Sequence, residues 1–350
     1  MLTLRPGEMG GSETYAAGLA AALAEHGTLE YLCLVPPAAP DAGNGLPTVV
    51  VPEYRPARRA PARAAAMAFA ALRSRAIRGR LPTLGAVHYP FTIPVPVLAV
   101  PAAITLHDVL HRDHPELWPR ALRAFRVLAY DRAARRAALV IVPSEYVRAR
   151  VAQLLGIPAE RIRAVHSGID HDLFRPGREE REPFLLYPAR PWPHKNHARL
   201  FEAFALVRRE RPELELVLTG GGHEWRALPA GVRVLGLVRS DELASLYRRA
   251  AALVFPSLHE GFGQPPLEAM ACGCPVAAAR ATSLPEVCGD AAVYFDPRSP
   301  EDIAAGIVRA LAEREELARR GIEHARAFTW ERSARAHETH YRELLSFSSG

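Results

Sequence analysis

Lysine is all but missing from this chain. Of 44 basic residues among 350, Lys195 is the single lysine and the rest are arginine. A coding bias toward arginine accounts for the others and makes the survivor informative, because an ammonium is a compact point charge where a guanidinium is a broad planar fork. Cysteine is scarce too, with four in the whole chain. So few make no disulfide framework, and Cys272-Gly-Cys274 has the wrong spacing for a zinc knuckle, so a reducing cytoplasm is the expected compartment. No internal repeat is present, and no apolar run reads as a membrane span. The longest uncharged stretch, Leu81 to Leu106 with histidines counted neutral, carries Pro82, Pro90, Pro94, Pro96 and Pro101, which a spanning helix does not absorb. Met1-Leu-Thr-Leu-Arg5 runs directly into a glycine loop, so no signal peptide is expected. The opening strand is short enough that a start a few codons upstream is compatible with it.

What is present is enough apolar sequence for two cores of ordinary size, at 49% hydrophobic and 23% charged residues. Short apolar runs alternate with helical stretches, the signature of parallel α/β domains. The first half offers strands at Met1–Leu4, Tyr31–Val35, Thr48–Val51, Ala86–His88, Ala102–Leu106 and Leu139–Val142. Helices are expected over Glu13–His26, Ala60–Arg78, Pro119–Arg136 and Glu145–Leu155. The polar, proline-flanked stretch His171 to Pro183 reads as a linker. The expected division is therefore 1–178, with a terminal helix in 330–350, and 179–329.

The segment Glu260-Gly-Phe-Gly-Gln-Pro-Pro-Leu-Glu268 is the most informative in the chain. The apolar run Ala251 to Pro256 leads into it and Ala269-Met-Ala271 follows, so the order reads as buried strand, glycine loop, then a helix opened by proline. Gly261 and Gly263 let the backbone approach a ligand, and free amides at the helix start attract an anion. Glu268 falls in the first helical turn, where its carboxylate is placed to accept from vicinal hydroxyls such as those of a ribose. Phosphate attraction beside hydroxyl recognition points to a nucleotide. Doubly wound sheets bind ligands at such strand ends.

Lys195 fits the same picture. Arg190 ends the apolar run Phe184-Leu-Leu-Tyr-Pro-Ala-Arg190, so strand end, short loop and helix start bring both cations toward the side of the sheet that carries Glu260. Gly10-Gly11-Ser12 before an amphipathic helix is a further candidate for close approach to a phosphate or sugar. Gly220-Gly-Gly222 is not a dinucleotide fingerprint, because His223, Glu224 and Trp225 follow it.

Together these residues resemble the family-4 glycosyltransferases, retaining enzymes of the GT-B fold that use sugar nucleotides. The Glu260…Glu268 spacing matches that family, as do the pair Arg190 and Lys195, the stretch Ser283-Leu-Pro-Glu-Val-Cys-Gly-Asp-Ala-Ala292, Pro143-Ser-Glu, and Val165-His-Ser-Gly-Ile-Asp170. The likeness runs from Gly10 to about Trp330. It implies two Rossmann-like α/β domains facing across a cleft, with the terminal helix crossing back to the first. It implies that Gly10 and Gly11 lie beside the donor phosphates, and that Arg190 and Lys195 neutralise the departing diphosphate. Glu260 then binds sugar hydroxyls, the amides of Gly261, Phe262 and Gly263 cradle sugar and phosphate, and Glu268 holds the ribose. His107 is implied at the transferred sugar, with Asp108 fixing its tautomer or the loop, and Val238 at the base through main chain. Retention and independence from a divalent metal rest on the resemblance alone. His107-Asp108 and His114-Pro-Glu116 look most like mannosyltransferase members, which makes GDP-mannose the expected donor.

Alternatives remain open at this point. His107, Asp108, His111, Asp113 and His114 cluster tightly, but their spacing fits no usual metal-ligand pattern and Pro115 starts a new element. A pyridoxal-phosphate phosphorylase shares the GT-B fold and would need Lys195 as its Schiff base, and a non-catalytic sugar-nucleotide sensor would keep Glu268 and Lys195. Eight arginines and no acidic residue lie between Arg55 and Arg80. That balance suits an anionic membrane surface, hence a peripheral protein with a lipid-linked or glycan acceptor. No stacking aromatics accompany these arginines, so nucleic acid is not expected.

Overall fold

The structure is a computed structural model and describes residues 1–7, 9–54, 74–79, 81–223, 225 and 227–347. The chain divides into two compact units, 1–168 with 330–350, and 169–329. The division falls after Gly168 rather than after Arg178. Ile169 bridges Thr329 and Phe174 packs in the second core, so the expected linker begins inside the second unit.

In the first unit α1 (Gly11–His26) precedes β1 (Cys33–Val35) and β2 (Thr48–Val50), which pair in parallel. A second parallel sheet runs β3-β4-β5-β6, from Val87–Tyr89, Ala102–Thr105, Leu139–Val142 and Ile162–Ala164. Met1–Leu4 is not a strand. The Leu4 amide donates back to Met1 O at 3.1 Å and the Met1 amine donates to Leu34 O at 2.6 Å, so the segment folds into a turn. Met1, Leu2 and Thr3 instead line an apolar cavity of about 590 Å³ with Leu34, Val87 and Phe91. The helix expected over Pro119–Arg136 is interrupted. α2 (Arg120–Arg126) passes into a π-helical turn, Val127–Asp131, before α3 (Arg132–Arg136). α4 (Glu145–Leu155) forms as expected, with Ser144 Oγ accepting from the Val147 amide at its N-terminus. Of the helix expected over Ala60–Arg78, residues 60–73 lie outside the described residues, as does most of the Arg55–Arg80 segment expected to face a membrane. Ser74–Arg78 is helical. Among the described residues no helix is long and apolar enough to cross a bilayer.

The second unit is a six-stranded parallel sheet in the order β12-β11-β10-β7-β8-β9. Its strands are β7 (Glu182–Pro188), β8 (Glu215–Thr219), β9 (Val232–Gly236), β10 (Ala250–Phe255), β11 (Val276–Ala279) and β12 (Val293–Phe295). Val, Leu and Phe fill the central strands without alternation because helices cover both faces; Leu253 to Phe255 are fully buried. The helices that matter below are α5 (His197–Glu210), α6 (Gln264–Ala271) and α7 (Pro300–Ala312). The chain winds outward from β7 through β8 to β9, then returns to the other side of β7 as β10 and continues through β11 to β12. The direction of winding reverses between β7 and β10, the position at which doubly wound sheets bind ligands. The terminal helix α8 (Trp330–Ser346) belongs to the first unit.

Candidate donor and sugar sites

Lys195 and Glu260 meet at that reversal. The turn after β7 ends in a 3₁₀ segment, Pro193–Lys195, and the loop after β10 carries Glu260. Lys195 Nζ donates to Glu260 Oε1 at 2.6 Å, with the two side chains 14% and 13% exposed. The Leu258 amide donates to His194 O at 2.8 Å and ties the two loops together. Burial pushes the Glu260 carboxyl up, but the Lys195 ammonium and the hydrogen bonds from Lys195 and Ser257 outweigh it and hold the group below its ordinary value. Glu260 is therefore a carboxylate at neutral pH. Arg190 lies on the same loop as Lys195, with its guanidinium over Trp192 at 5.8 Å from the ring centre.

Residues outside the charged and glycine motifs fix this geometry. Asn196 sits in the left-handed region at φ 62°, and its Nδ2 donates to Pro256 O at 3.0 Å and Pro297 O at 2.7 Å. Tyr187 Oη donates to Lys195 O at 2.6 Å. The Glu260 amide donates to Thr282 Oγ1 at 3.0 Å. Ser283, fully buried, donates to Phe262 O at 2.6 Å and Glu260 O at 3.0 Å. Ser283→Ala leaves two inward-facing carbonyls without this donor and should lower the stability of the second unit by about 1–3 kcal/mol. Denaturant unfolding measures this; a change below a few tenths of a kcal/mol would mean the loop holds itself.

Gly263 caps α6 at φ 126°, and a Cβ there would lie 2.9 Å from Leu284 Cδ2, so only glycine closes this turn without strain. Pro265 and Pro266, which have no N–H to leave unsatisfied, then open the helix. Glu268 is one turn along and 7% exposed. Tyr247 Oη donates to its Oε2 at 3.0 Å. Burial raises the Glu268 carboxyl to about 7, against the hydrogen bonds from Tyr247 and Gln264, which act downward. The loop after β8 packs closely on the strand beside it: a Cβ on Gly220 would sit 3.2 Å from Arg190 N, and one on Gly221 would sit 3.4 Å from Leu237 Cγ. Leu237, 71% exposed, and the partly buried Val238 follow β9.

In the first unit Gly10 turns the chain into α1 at φ 57°, and a Cβ on either Gly10 or Gly11 would meet nothing within 4 Å. His107 follows β4. Its Nε2 lies 2.8 Å from Pro90 O, which can only accept, so Nε2 carries the proton and Nδ1 the lone pair. Burial lowers its pKa, opposed by the Pro90 bond and Asp108, and the ring stays neutral. The tautomer is thus set by Pro90 and not by Asp108, whose Oδ1 accepts from the Leu110 amide at 2.9 Å. The other acids and histidines clustered near His107 are taken up separately. His111 Nε2 lies 2.9 Å from Asp131 Oδ1, Asp113 pairs with Arg150, and His114 Nδ1 lies 3.0 Å from Glu116 Oε1.

Behind His107 runs a buried chain that sequence reasoning missed. His337 Nδ1 donates to Ser333 O at 2.7 Å, so its Nε2 accepts from Tyr15 Oη at 2.7 Å. Tyr15 must then accept from Thr105 Oγ1 at 3.0 Å, and Thr105 from His88 Nε2 at 2.8 Å. His88 Nδ1 is left to accept from Tyr341 Oη at 2.7 Å. One proton arrangement satisfies every member, and it needs both imidazoles neutral. Burial supplies this, lowering His337 to about 4 and His88 well below its ordinary value. Tyr15 also meets the His107 ring edge-on at 5.0 Å. A depressed histidine contributes stability that is present above about pH 6.5 and lost as pH falls toward 4. At pH 7.5 His337→Phe should destabilise the protein. By pH 4.5 that difference should shrink by about 2–3 kcal/mol, because only the wild type must bury a proton-accepting ring. Urea unfolding at the two pH values measures the change, and a constant difference would contradict a buried neutral His337.

Known proteins share this architecture and much of this sequence. The family model described as Glycosyltransferase Family 4 matches residues 9–173, and that described as Glycosyl transferases group 1 matches 169–328. O-antigen chain mannosyltransferase B of Escherichia coli is 33% identical over 255 residues, covering 66% of this chain and 67% of that one. The serotype-specific mannosyltransferase WbdA of the same organism is 32% identical over 174 residues, 49% of this chain and 19% of that much longer one. Among solved structures, sucrose-phosphate synthase from Thermosynechococcus elongatus superposes with a TM-score of 0.79 at 22% identity, covering 96% of this chain and 94% of that one. The Anabaena HepE protein, solved with UDP and glucose, superposes at 0.73 and 20% identity over 98% of each chain. The chain belongs to the family-4 glycosyltransferases of the GT-B fold.

Proposed function

We propose that the protein moves a hexose, mannose by preference, from a nucleoside diphosphate sugar to an acceptor hydroxyl with retention of configuration. The acceptor is a glycan or lipid-linked sugar of the cell envelope, and GDP-mannose is the donor. The observation that carries the proposal is the Lys195–Glu260 pair at the reversal of the second sheet, beside the glycine loop that opens α6. The mannosyltransferase relatives favour the sugar, and the UDP bound in the HepE neighbour favours a nucleotide diphosphate as the ligand class.

The residues divide the work by charge. Lys195 and Arg190 neutralise the diphosphate as the bond from the sugar C1 to the phosphate oxygen breaks and the electron pair leaves with phosphate. The amides of Gly261, Phe262 and Gly263 receive sugar and phosphate oxygens at the positive end of α6. Glu260, held ionised by Lys195, accepts from sugar hydroxyls, and Glu268 accepts from the ribose pair. Main chain at Val238 meets the base. His107 offers the lone pair of Nδ1 to a hydroxyl of sugar or acceptor, and Gly10 and Gly11 leave room for the donor phosphates. The acceptor oxygen attacks on the face the phosphate leaves, and its proton passes to the departing phosphate oxygen. No protein nucleophile and no metal enter this scheme.

A panel of nucleoside diphosphate sugars tests the reading by thermal shift followed by transfer assay. One donor class should stabilise the wild type and be turned over. Stabilisation without turnover or hydrolysis would identify a sugar-nucleotide sensor instead.

A further inference from the structure

Helix α2 and the π turn after it present an exposed face that the sugar and nucleotide chemistry does not use. Leu122 and Phe125 are each 40% exposed and Leu128 is 68% exposed. Residues 119–125 are all exposed, so α2 gives little of its surface to the core. The three apolar side chains recur at every third position and make a stripe. Arg120, Arg123, Arg132 and Arg136 flank it, all exposed, and none of the four has an acidic partner among the described residues. From Leu117 to Tyr130 the sequence holds no Asp or Glu. The inner side is fixed. Buried Asp131 accepts from His111 Nε2 at 2.9 Å and Arg112 Nε at 2.8 Å, and Arg126 stacks over Trp118 at 4.2 Å and Tyr130 at 4.9 Å. Ala133 and Ala134 of α3 are buried. The stripe is therefore held outward on an anchored base.

We propose that this face docks the protein on an anionic lipid bilayer, with the arginines at the headgroup phosphates and Leu122, Phe125 and Leu128 entering the acyl boundary. The combination of charges and apolar stripe selects the occupant. An amphipathic helix with a basic polar side and large apolar residues partitions into an anionic interface, where each basic residue contributes about fivefold in affinity. A second copy of the chain meeting face to face would set arginine against arginine. A nucleic acid would satisfy the arginines and leave Leu128 in water. The proposal is independent of which sugar is transferred.

Cosedimentation with vesicles of equal parts phosphatidylglycerol and phosphatidylcholine tests it, using vesicles of phosphatidylcholine alone as comparison. The wild type should sediment with the mixed vesicles and not with the neutral ones. Arg120→Glu/Arg123→Glu and Leu122→Ser/Phe125→Ser/Leu128→Ser should each lower the bound fraction at least about tenfold while melting at the wild-type temperature. Failure of the wild type to bind overturns the proposal, as does full binding by both folded variants, which would place the contact elsewhere. Sedimentation velocity supplies the last outcome: a dimer abolished by Leu128→Ser, with no vesicle binding, would make the partner a second copy and overturn it too.

Discussion

Lys195→Ala is expected to lower sugar transfer by about 100- to 1,000-fold, the loss that follows removal of one preorganised donor from a developing anion. The effect should appear mainly in kcat, since leaving-group charge grows in the transition state. The same change strands Glu260. With 13% of its side chain exposed, the carboxylate has little water to turn to, and the second unit should lose about 3 kcal/mol near neutral pH. Without the ammonium, burial is opposed only by His194 and the Ser257 hydrogen bond and the Glu260 carboxyl moves up, so the deficit should narrow as the solution is acidified. Lys195→Met/Glu260→Gln separates the two consequences. It removes both charges at similar volume, so stability should return toward the wild type while transfer stays lost. Full stability of the single variant together with wild-type kcat would show that the pair is a surface ornament.

Glu268→Gln should act in the opposite direction on stability. Burial holds the Glu268 carboxyl near 7, above an ordinary value of 4.5. A raised carboxyl contributes stability that is complete below about pH 4.5 and lost as pH rises through 7. At pH 8 the folded protein must keep a carboxylate where it prefers an acid, at a cost of about 3 kcal/mol. Glutamine carries no such cost, and Tyr247 Oη can donate to its amide oxygen as it does to the carboxylate. The variant should therefore gain on the wild type by about 3 kcal/mol between pH 4 and pH 8. Donor binding should weaken tenfold or more, because one amide oxygen replaces two charged acceptors for the ribose hydroxyls. Wild-type affinity should also rise from pH 6 to pH 8 while that of the variant stays flat. Calorimetry across pH checks both halves. A flat wild-type profile would remove Glu268 from the ribose site.

The parts of this protein readable in its sequence are those where chemistry and backbone geometry coincide. Glu260, Glu268, Arg190 and Lys195 follow apolar runs that became β7 and β10, and adjacent parallel strands deliver their loops to the same edge. Gly261 and Gly263 marked a glycine loop, and in the structure Gly263 closes it in a turn that only glycine makes without strain. Thr282, Asn196 and Tyr187 gave no signal of their roles, and Ser283 only that of a family stretch, because they satisfy main-chain groups of segments distant in sequence. Tyr15 and His337 illustrate the difficulty: they lie 322 positions apart, and neither sits in a motif. Local apolarity misled at Met1–Leu4, where a turn consumes the backbone groups a strand would need. At Pro119–Arg136 helical periodicity was right, but the anchoring of Asp131 to His111 and Arg112 accompanies a π turn that periodicity does not encode.

Titrating GDP into the folded wild type and Lys195→Ala by calorimetry asks directly whether a diphosphate occupies the sheet edge where the winding reverses between β7 and β10. Saturable binding by the wild type, weakened at least about tenfold in the variant, is the predicted outcome, since a charge-assisted contact contributes roughly 1.5–3 kcal/mol. Equal affinity in both proteins, or no heat for any nucleoside diphosphate while the wild type remains folded, would contradict it.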